Sequence, residues 1–294
     1  MITGARSKLA IPLIEYFKRN NYQIALLSKD NLNIDDKDII TFKIDLTLFF
    51  TIDFIPDIII HIAAYVPYNY DAKIEDYKVY DINVMSCTRI LEFALKSKVK
   101  HFCLISSIDV YGEERFYNDE NKLINEKDDC FPDNIYGLSK LACEKIAYTF
   151  SLLHNIKVSV LRLGPIVGPN MNKKLTIYKM IDDLLNGQRV SVKDCNLLVS
   201  FLSEKEASDA IVKACQKKDK WSVLNITGNY LQIKYLFQDL LNLSNNNSNV
   251  FFLKNKKNKI NVRYSNEVAK KKIDWYPSTN FKSIVKSFIS YKNS

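Results

Sequence analysis

Tyr136 and Lys140 stand four residues apart in YGLSK (136–140), within YGLSKLACEKIAYTFSLLHN (136–155), a stretch patterned as an amphipathic helix. Positions i and i+4 share one helix face. A phenol titrates at about 10, and an ammonium beside it favours the phenolate. The pair suits general acid–base work near neutral pH. Upstream, LISSIDVYG (104–112) ends an apolar run in two hydroxyls. Parallel sheets bind ligands at the carboxyl ends of their strands. That places Ser107 to donate a hydrogen bond to a substrate oxygen, with Asp109 just beyond it.

These side chains need a scaffold, and the first half of the chain supplies the pattern of one. YQIALLS (22–28), DIIIHIAA (57–64), HFCLISS (101–107) and KVSVLRLG (157–164) read as buried strands. KLAIPLIEYFKRN (8–20), NVMSCTRILEFALKSK (83–98) and 136–155 read as the helices between them. Such alternation implies an α/β fold, a doubly wound parallel sheet covered on both faces. Pro12 falls early in the first helix, where a missing N–H costs little. Residues 112–134 are polar and acidic and read as one long loop. After residue 168 the alternation weakens, which predicts a domain over 1–168 and a smaller lobe over 169–294. Segments near 199–227, with a helix at 204–217 and a strand at 222–227, are expected to return to the first domain.

Composition narrows the classes. A chain of 294 residues with 47% hydrophobic residues builds a sizeable core. No apolar run approaches the ~18 residues of a membrane span, so no membrane insertion is expected. Six scattered cysteines without a CxxC pair suit a reduced, cytoplasmic protein. His61, His101 and His154 lie far apart and predict no metal site. The net charge of +9 is read as lysines spread over solvated faces. The basic runs LKNKKNK (253–259) and KKK (270–272) lack the interleaved aromatics of a nucleic-acid platform, so no nucleic acid is expected.

The ordered set of motifs resembles an extended short-chain dehydrogenase/reductase of the NAD(P)-dependent epimerase/dehydratase group, and the resemblance runs nearly end to end. TGARSKLA (3–10) stands where that family has its TGxxGxxG loop. Asp45–Leu46 resembles the adenine-side Asp-Leu, HIAA (61–64) the H-x-A-A after the fourth strand, and Asn83 the Asn opening the next helix. SSIDVYG, YGLSK, LRLGPIVGP (161–169), VSFLSEKEASDAI (199–211), LNITG (224–228) and DWYPST (274–279) follow in order. The resemblance implies a Rossmann-type sheet with a C-terminal substrate-binding lobe. It also implies a homodimer through helices 83–98 and 136–155. Tyr136 would be the acid–base on a sugar hydroxyl or ketone. Lys140 would hold the nicotinamide ribose and depress the tyrosine, and Ser107 would polarise the substrate oxygen. Gly4, Arg6, Ser7, Ala10, Ser28, Lys29, Asp45, Leu46, Ala63, Ala64, Tyr136 and Lys140 would contact the cofactor. Ser107, Asp109, Asn83 and Pro165 would face the substrate, a nucleotide-sugar.

Departures from the family pattern sharpen the reading. Ile108 and Asp109 occupy the place of the dehydratases' acid–acid pair, and isoleucine protonates no leaving group, so a 4,6-dehydratase is disfavoured. A nucleotide-sugar epimerase and a 4-keto-sugar reductase remain. The alternative is a non-catalytic or weakly active dinucleotide-binding relative. Ser28 and Lys29 replace the acid that binds a ribose 2′-OH. With Arg6 nearby they suit NADP better than NAD, although Asp30 is close. Pro165 replaces an Asn common in sugar-nucleotide epimerases. Trp275 reads as core. Within the frame Gly4–Ser7–Ala10, Ser7 places a Cβ where the backbone approaches a pyrophosphate, so Ser7→Gly is expected to tighten cofactor binding. Only Met1 and Ile2 precede Thr3, so the expected first strand is short, and the chain is expected to begin inside a longer strand.

Overall fold

The computed structural model describes all residues except 68–75, 113–121, 170, 172, 174, 194, 245–249, 254–261 and 294. Seven strands form the central sheet: β1 (Ile2–Thr3), β2 (Ile24–Ser28), β3 (Ile39–Lys43), β4 (Ile58–His61), β5 (His101–Ser107), β6 (Lys157–Leu163) and β7 (Trp221–Ile226). Their order is β3-β2-β1-β4-β5-β6-β7, and every pairing is parallel. The chain winds outward from β1 in one direction and from β4 in the other. That reversal opens a crevice at the carboxyl ends of the strands.

Burial on both faces explains why the strands read as unbroken apolar runs rather than alternating ones. Along β5 successive side chains divide between two cores. Cys103 and Ile105 join Leu13, Phe17, Ala207 and Ile211, from the helices Ala10–Arg19 and Glu204–Cys215. Phe102 and Leu104 join Ile90, Leu91, Cys143 and Ala147, from the helices Ser86–Lys96 and Ile135–His154. The first strand is short, as expected, yet its pairing extends one residue back: Ile60 N donates to Met1 O at 2.9 Å. A separate core of Ile181, Leu184, Phe237, Leu240, Val285 and Phe288 holds the helices Thr176–Leu185, Ile233–Ser244 and Phe281–Asn293 together.

Some elements differ from the sequence reading. The expected single helix over 83–98 is a π-helical turn, Asp81–Met85, running into Ser86–Lys96. Of the expected loop 112–134, residues 113–121 lie outside the described set. The remainder is not all loop, because Leu123–Ile124 pairs with Arg263–Tyr264. Of LKNKKNK only Leu253, the end of a strand, is described. Lys270, Lys271 and Lys272 are exposed on a helix. Trp275 is buried, its Nε1 donating to Glu206 O at 3.1 Å. No helix among the described residues is long and apolar enough to cross a membrane.

Candidate functional site

The segments that follow β1 to β6 converge on a cavity of about 1180 Å³ at the carboxyl edge of the sheet. At its β1 side the chain turns sharply at Gly4, whose φ is +70°. A Cβ there would sit 2.7 Å from Ala63 N and 2.8 Å from Ala63 Cα. Glycine is thus demanded twice, by the left-handed backbone and by the close approach of the β4 exit. Beneath the turn Thr3 Oγ1 meets His61 Nδ1 at 2.8 Å and accepts from Ala63 N at 3.3 Å. Burial, with a smaller contribution from the charge of Lys140, holds the His61 imidazole down to about 3. At neutral pH this histidine is an uncharged spacer.

Ser7 lines the cavity, and its Oγ accepts the Leu9 N–H at 3.3 Å. The helix Ala10–Arg19 has no capping side chain on Leu9, so Ser7 takes up one of its free N–H groups. Its own hydroxyl proton remains available to an acceptor. Ala10 does not line the cavity; it is fully buried in the core beneath.

Two ion pairs cross the β2–β3 side. Arg6 pairs with Asp30, and Lys29 with Asp45 at 2.8 Å. Asp45 also accepts from Thr47 N and Thr47 Oγ1, at 3.0 and 2.7 Å. Lys29, then Thr47, holds its carboxyl down to about 2. Ser28 Oγ accepts the Asp30 N–H at 3.3 Å. Leu46, Ala63 and Ala64 complete this part of the wall. Both cations that suggested a 2′-phosphate are therefore already matched by carboxylates, a fact the sequence did not display.

At the β5 side Ser107, Tyr136 and Lys140 line the cavity together. Ser107 is extended and caps the short 3₁₀ turn Ile108–Tyr111, its Oγ accepting from Asp109 N at 3.2 Å. The helix carrying Tyr136 and Lys140 is capped by Asn134, whose side chain accepts from Gly137 N at 2.8 Å. Gly137 has a job that the sequence reading passed over: a Cβ on it would lie 2.4 Å from Asp109 O. The glycine after Tyr136 lets the helix start rest on the turn that follows Ser107. Lys140 is buried, and its Nζ donates to Ile105 O at 2.9 Å while lying 5.7 Å from the centre of the Tyr136 ring. Burial pushes its ammonium below the usual lysine range, and Cys143, Cys87 and Glu144 oppose that shift.

Asn83 stands outside the cavity wall. Its amide accepts from Tyr65 N at 2.6 Å and donates to Tyr65 O and Ser139 Oγ, at 3.1 and 2.9 Å. Ser139 Oγ in turn donates to Tyr136 O at 2.7 Å. Asn83 thus ties the β4 exit to the helix of Tyr136. Ile108, Asp109 and Pro165 all line the cavity, and Ile108 is also packed into a small core with Val110 and Tyr111. From the second lobe Met171, Lys173, Phe201 and Tyr291 reach the same cavity.

The family model described as NAD dependent epimerase/dehydratase family matches residues 1–227. A dTDP-D-glucose 4,6-dehydratase of Dictyostelium discoideum is 28% identical over 142 residues, 46% of this chain and 32% of that protein. The chain therefore spans about a third of the length of that relative. A UDP-glucuronate 4-epimerase of Thermodesulfobacterium geofontis is 22% identical over 284 residues, 95% of this chain and 83% of that one. A solved UDP-glucuronic acid 4-epimerase from Bacillus cereus, in complex with NAD, superposes with a TM-score of 0.84 at 18% identity. That superposition covers 99% of this chain and 97% of the other.

Proposed function

We propose, from the premise that this chain belongs to the NAD dependent epimerase/dehydratase family, that it is an NAD(P)-dependent nucleotide-sugar 4-epimerase or 4-keto-sugar reductase. One observation carries the reading: Ser107, Tyr136 and the buried Lys140 share one wall of a cavity whose other end is a helix N-terminus behind a glycine turn. A dinucleotide fits that end. Gly4 admits close approach, the helix start favours an anion, and His61 adds no charge. When bound, the nicotinamide exchanges hydride with the substrate carbon. This chain's residues do the rest. Tyr136 Oη takes or returns the proton of the sugar oxygen. Lys140 supplies positive charge beneath the ring, and Ser107 donates a hydrogen bond to the same oxygen. Asp109 and Pro165 face the sugar in this reading, and Ile108 removes one of the two acids a dehydration needs.

A homodimer through the helices Ser86–Lys96 and Ile135–His154 belongs to the same reading. Leu138, Tyr148, Leu152 and Leu153 support it, being 43–68% exposed on the second helix. A cytoplasmic setting also belongs to this reading, supported by six cysteines none of which is joined in a disulfide among the described residues.

The test is Tyr136→Phe, with nucleotide-sugars supplied in a panel. Turnover should fall about 10²–10⁴-fold, the usual worth of a positioned acid–base group, while dinucleotide binding is retained. Unchanged turnover removes Tyr136 from the reaction. An epimerase interconverts its sugars without net cofactor consumption; a reductase consumes one reduced cofactor per turnover. A non-catalytic relative would bind cofactor and convert no sugar.

A further inference from the structure

The edge of the sheet opposite the cavity gathers lysines that no step of the proposed reaction uses. β4, β5, β6 and β7 start there side by side. Lys100 N donates to Asp57 O at 3.0 Å and Val158 N to Lys220 O at 2.9 Å, while His101 stands in register with Lys157. The turns that enter these strands are therefore neighbours. The end of the helix Glu267–Ile273 joins them: Lys272 pairs with Asp219 at 3.0 Å, and Lys213 Nζ donates to Asp274 O at 2.8 Å. On these segments Lys98, Lys217, Lys218, Lys220, Lys270 and Lys271 are exposed, and none is ion-paired among the described residues. The carboxylates of the same segments are Asp57, Asp219 and Asp274. Asp57 is matched by Lys100 at 2.6 Å, and Asp219 by Lys272. The edge thus keeps a surplus of free cations.

Such a face is matched in charge to a polyanion, and polyanions differ in what else they need. Single-stranded nucleic acid needs aromatic rings between the cations. Trp221, the ring that follows Lys220, is half-buried with its edge against Tyr148. A bilayer takes up exposed aliphatic groups, and Ile55, two residues before Asp57, is 81% exposed. We propose that this edge is a docking surface for an anionic lipid bilayer, on which the protein lies without spanning it. The seven residues of β5 separate the two ends of the molecule, with His101 at the docking edge and Ser107 at the cavity. At ~3.3 Å per residue that is about 20 Å. A docked protein keeps its cavity open to solvent, and a surface charge screened within about 10 Å leaves the cavity undisturbed.

Sedimentation of the whole chain with vesicles tests this. The wild type should pellet with vesicles of phosphatidylglycerol and phosphatidylcholine in equal parts, and stay in solution with phosphatidylcholine alone. Salt at about 1 M, which cuts screening to about 3 Å, should release it. Lys98→Gln, Lys217→Gln and Lys270→Gln together should weaken binding at least tenfold, because each lysine at an anionic surface is worth about fivefold. The same charge removed from the second lobe, by Lys179→Gln, Lys282→Gln and Lys286→Gln, should weaken it far less. All six positions are exposed, so neither triple variant should move the urea midpoint. A wild type that stays in solution with the anionic vesicles overturns the proposal. So does an equal loss in the two triple variants, which would make the attraction one of net charge alone. Binding of single-stranded RNA in place of the vesicles overturns it as well. None of these outcomes depends on the reaction the cavity performs.

Discussion

Two ion pairs in this molecule have nearly the same length and nothing else in common. Beneath the β5 end of the cavity Arg162 Nη2 lies 2.7 Å from Glu144 Oε2, with side chains 7% and 4% exposed. At the rim Lys29 Nζ lies 2.8 Å from Asp45 Oδ2, with side chains 76% and 28% exposed. The floor pair is one link of a closed chain. Arg162 Nε reaches Glu144 Oε1 at 3.0 Å, and Ser106 Oγ reaches the same oxygen at 2.5 Å. Arg162 Nη1 donates to Tyr111 Oη, which donates to Asn225 Oδ1, both at 2.8 Å. That chain ties β5, β6, β7 and the Tyr136 helix together behind Ser107 and Tyr136. The rim pair ties only two surface segments. Burial decides the difference: water screens the rim pair, whereas the floor pair is almost wholly enclosed. The floor is built to stay fixed, and the rim is where charge can be rearranged without disturbing the fold.

The sharpest way to break this contrast is to cut the floor. Glu144→Leu leaves the Arg162 guanidinium buried and uncompensated, which costs about 3–5 kcal/mol. Urea denaturation should show that loss, whereas Glu144→Leu combined with Arg162→Met should recover most of it. A single variant as stable as the wild type would mean that water reaches the floor.

A pH effect of comparable total size, spread over several pH units, comes from the same buried interior. In the unfolded chain the His61 imidazole titrates at about 6.5. In the fold it is held down to about 3, by burial first and then by Lys140. Above pH 6.5 the ring is neutral in both states and contributes no pH dependence. Between about 6.5 and 3 only the unfolded chain takes up the proton, so stability falls by about 1.4 kcal/mol per pH unit. His101, also lowered by burial, acts in the same direction. Denaturant midpoints across that window should fall with pH, and His61→Gln should flatten the slope.

Ser7 lies between the two extremes. It is half-buried, and its Oγ holds one free N–H at the start of the first helix. Ser7→Ala removes that acceptor and should cost about 1 kcal/mol, the net worth of one hydrogen bond; Ser7→Gly should cost more, because glycine adds backbone freedom to the unfolded chain. Thermal denaturation separates the two. Dinucleotide titration of Ser7→Gly then reads the site itself: a tighter complex means the Cβ obstructs the phosphate, and a weaker one means the hydroxyl serves it.

The same contrast governs what the sequence made legible. β2, β4, β5 and β6 are buried on both faces, so burial wrote them as apolar runs. β3 is an edge strand with one partner and half-exposed side chains, and IITFK carries little signal of its own. The second-lobe helices pack on one another rather than on a sheet, so no strand–helix alternation announces them. At the site, Tyr136 and Lys140 were readable because a helix fixes their spacing. Gly137 was in plain view, but its reason, the Asp109 carbonyl, comes from another segment. The ion pairs of the rim were hidden for a similar cause. Lys29 and Arg6 read as surplus cations because their carboxylates, Asp45 and Asp30, are matched to them only by the turns after β1, β2 and β3.

The smallest effect belongs to the rim, and it completes the comparison. Lys29→Ala breaks a pair as short as the floor pair, yet its lysine is mostly in water, so the denaturation midpoint should stay where it is. The change should appear instead in Asp45. Without Lys29, its largest cause of depression, the carboxyl should titrate closer to its ordinary range than about 2, while Thr47 still holds part of the shift. An NMR titration of Asp45 beside a urea melt reads both quantities on one sample. An altered pKa with an unmoved midpoint means the rim tunes charge without bearing load. A midpoint that falls as far as Glu144→Leu lowers it would erase the distinction between rim and floor.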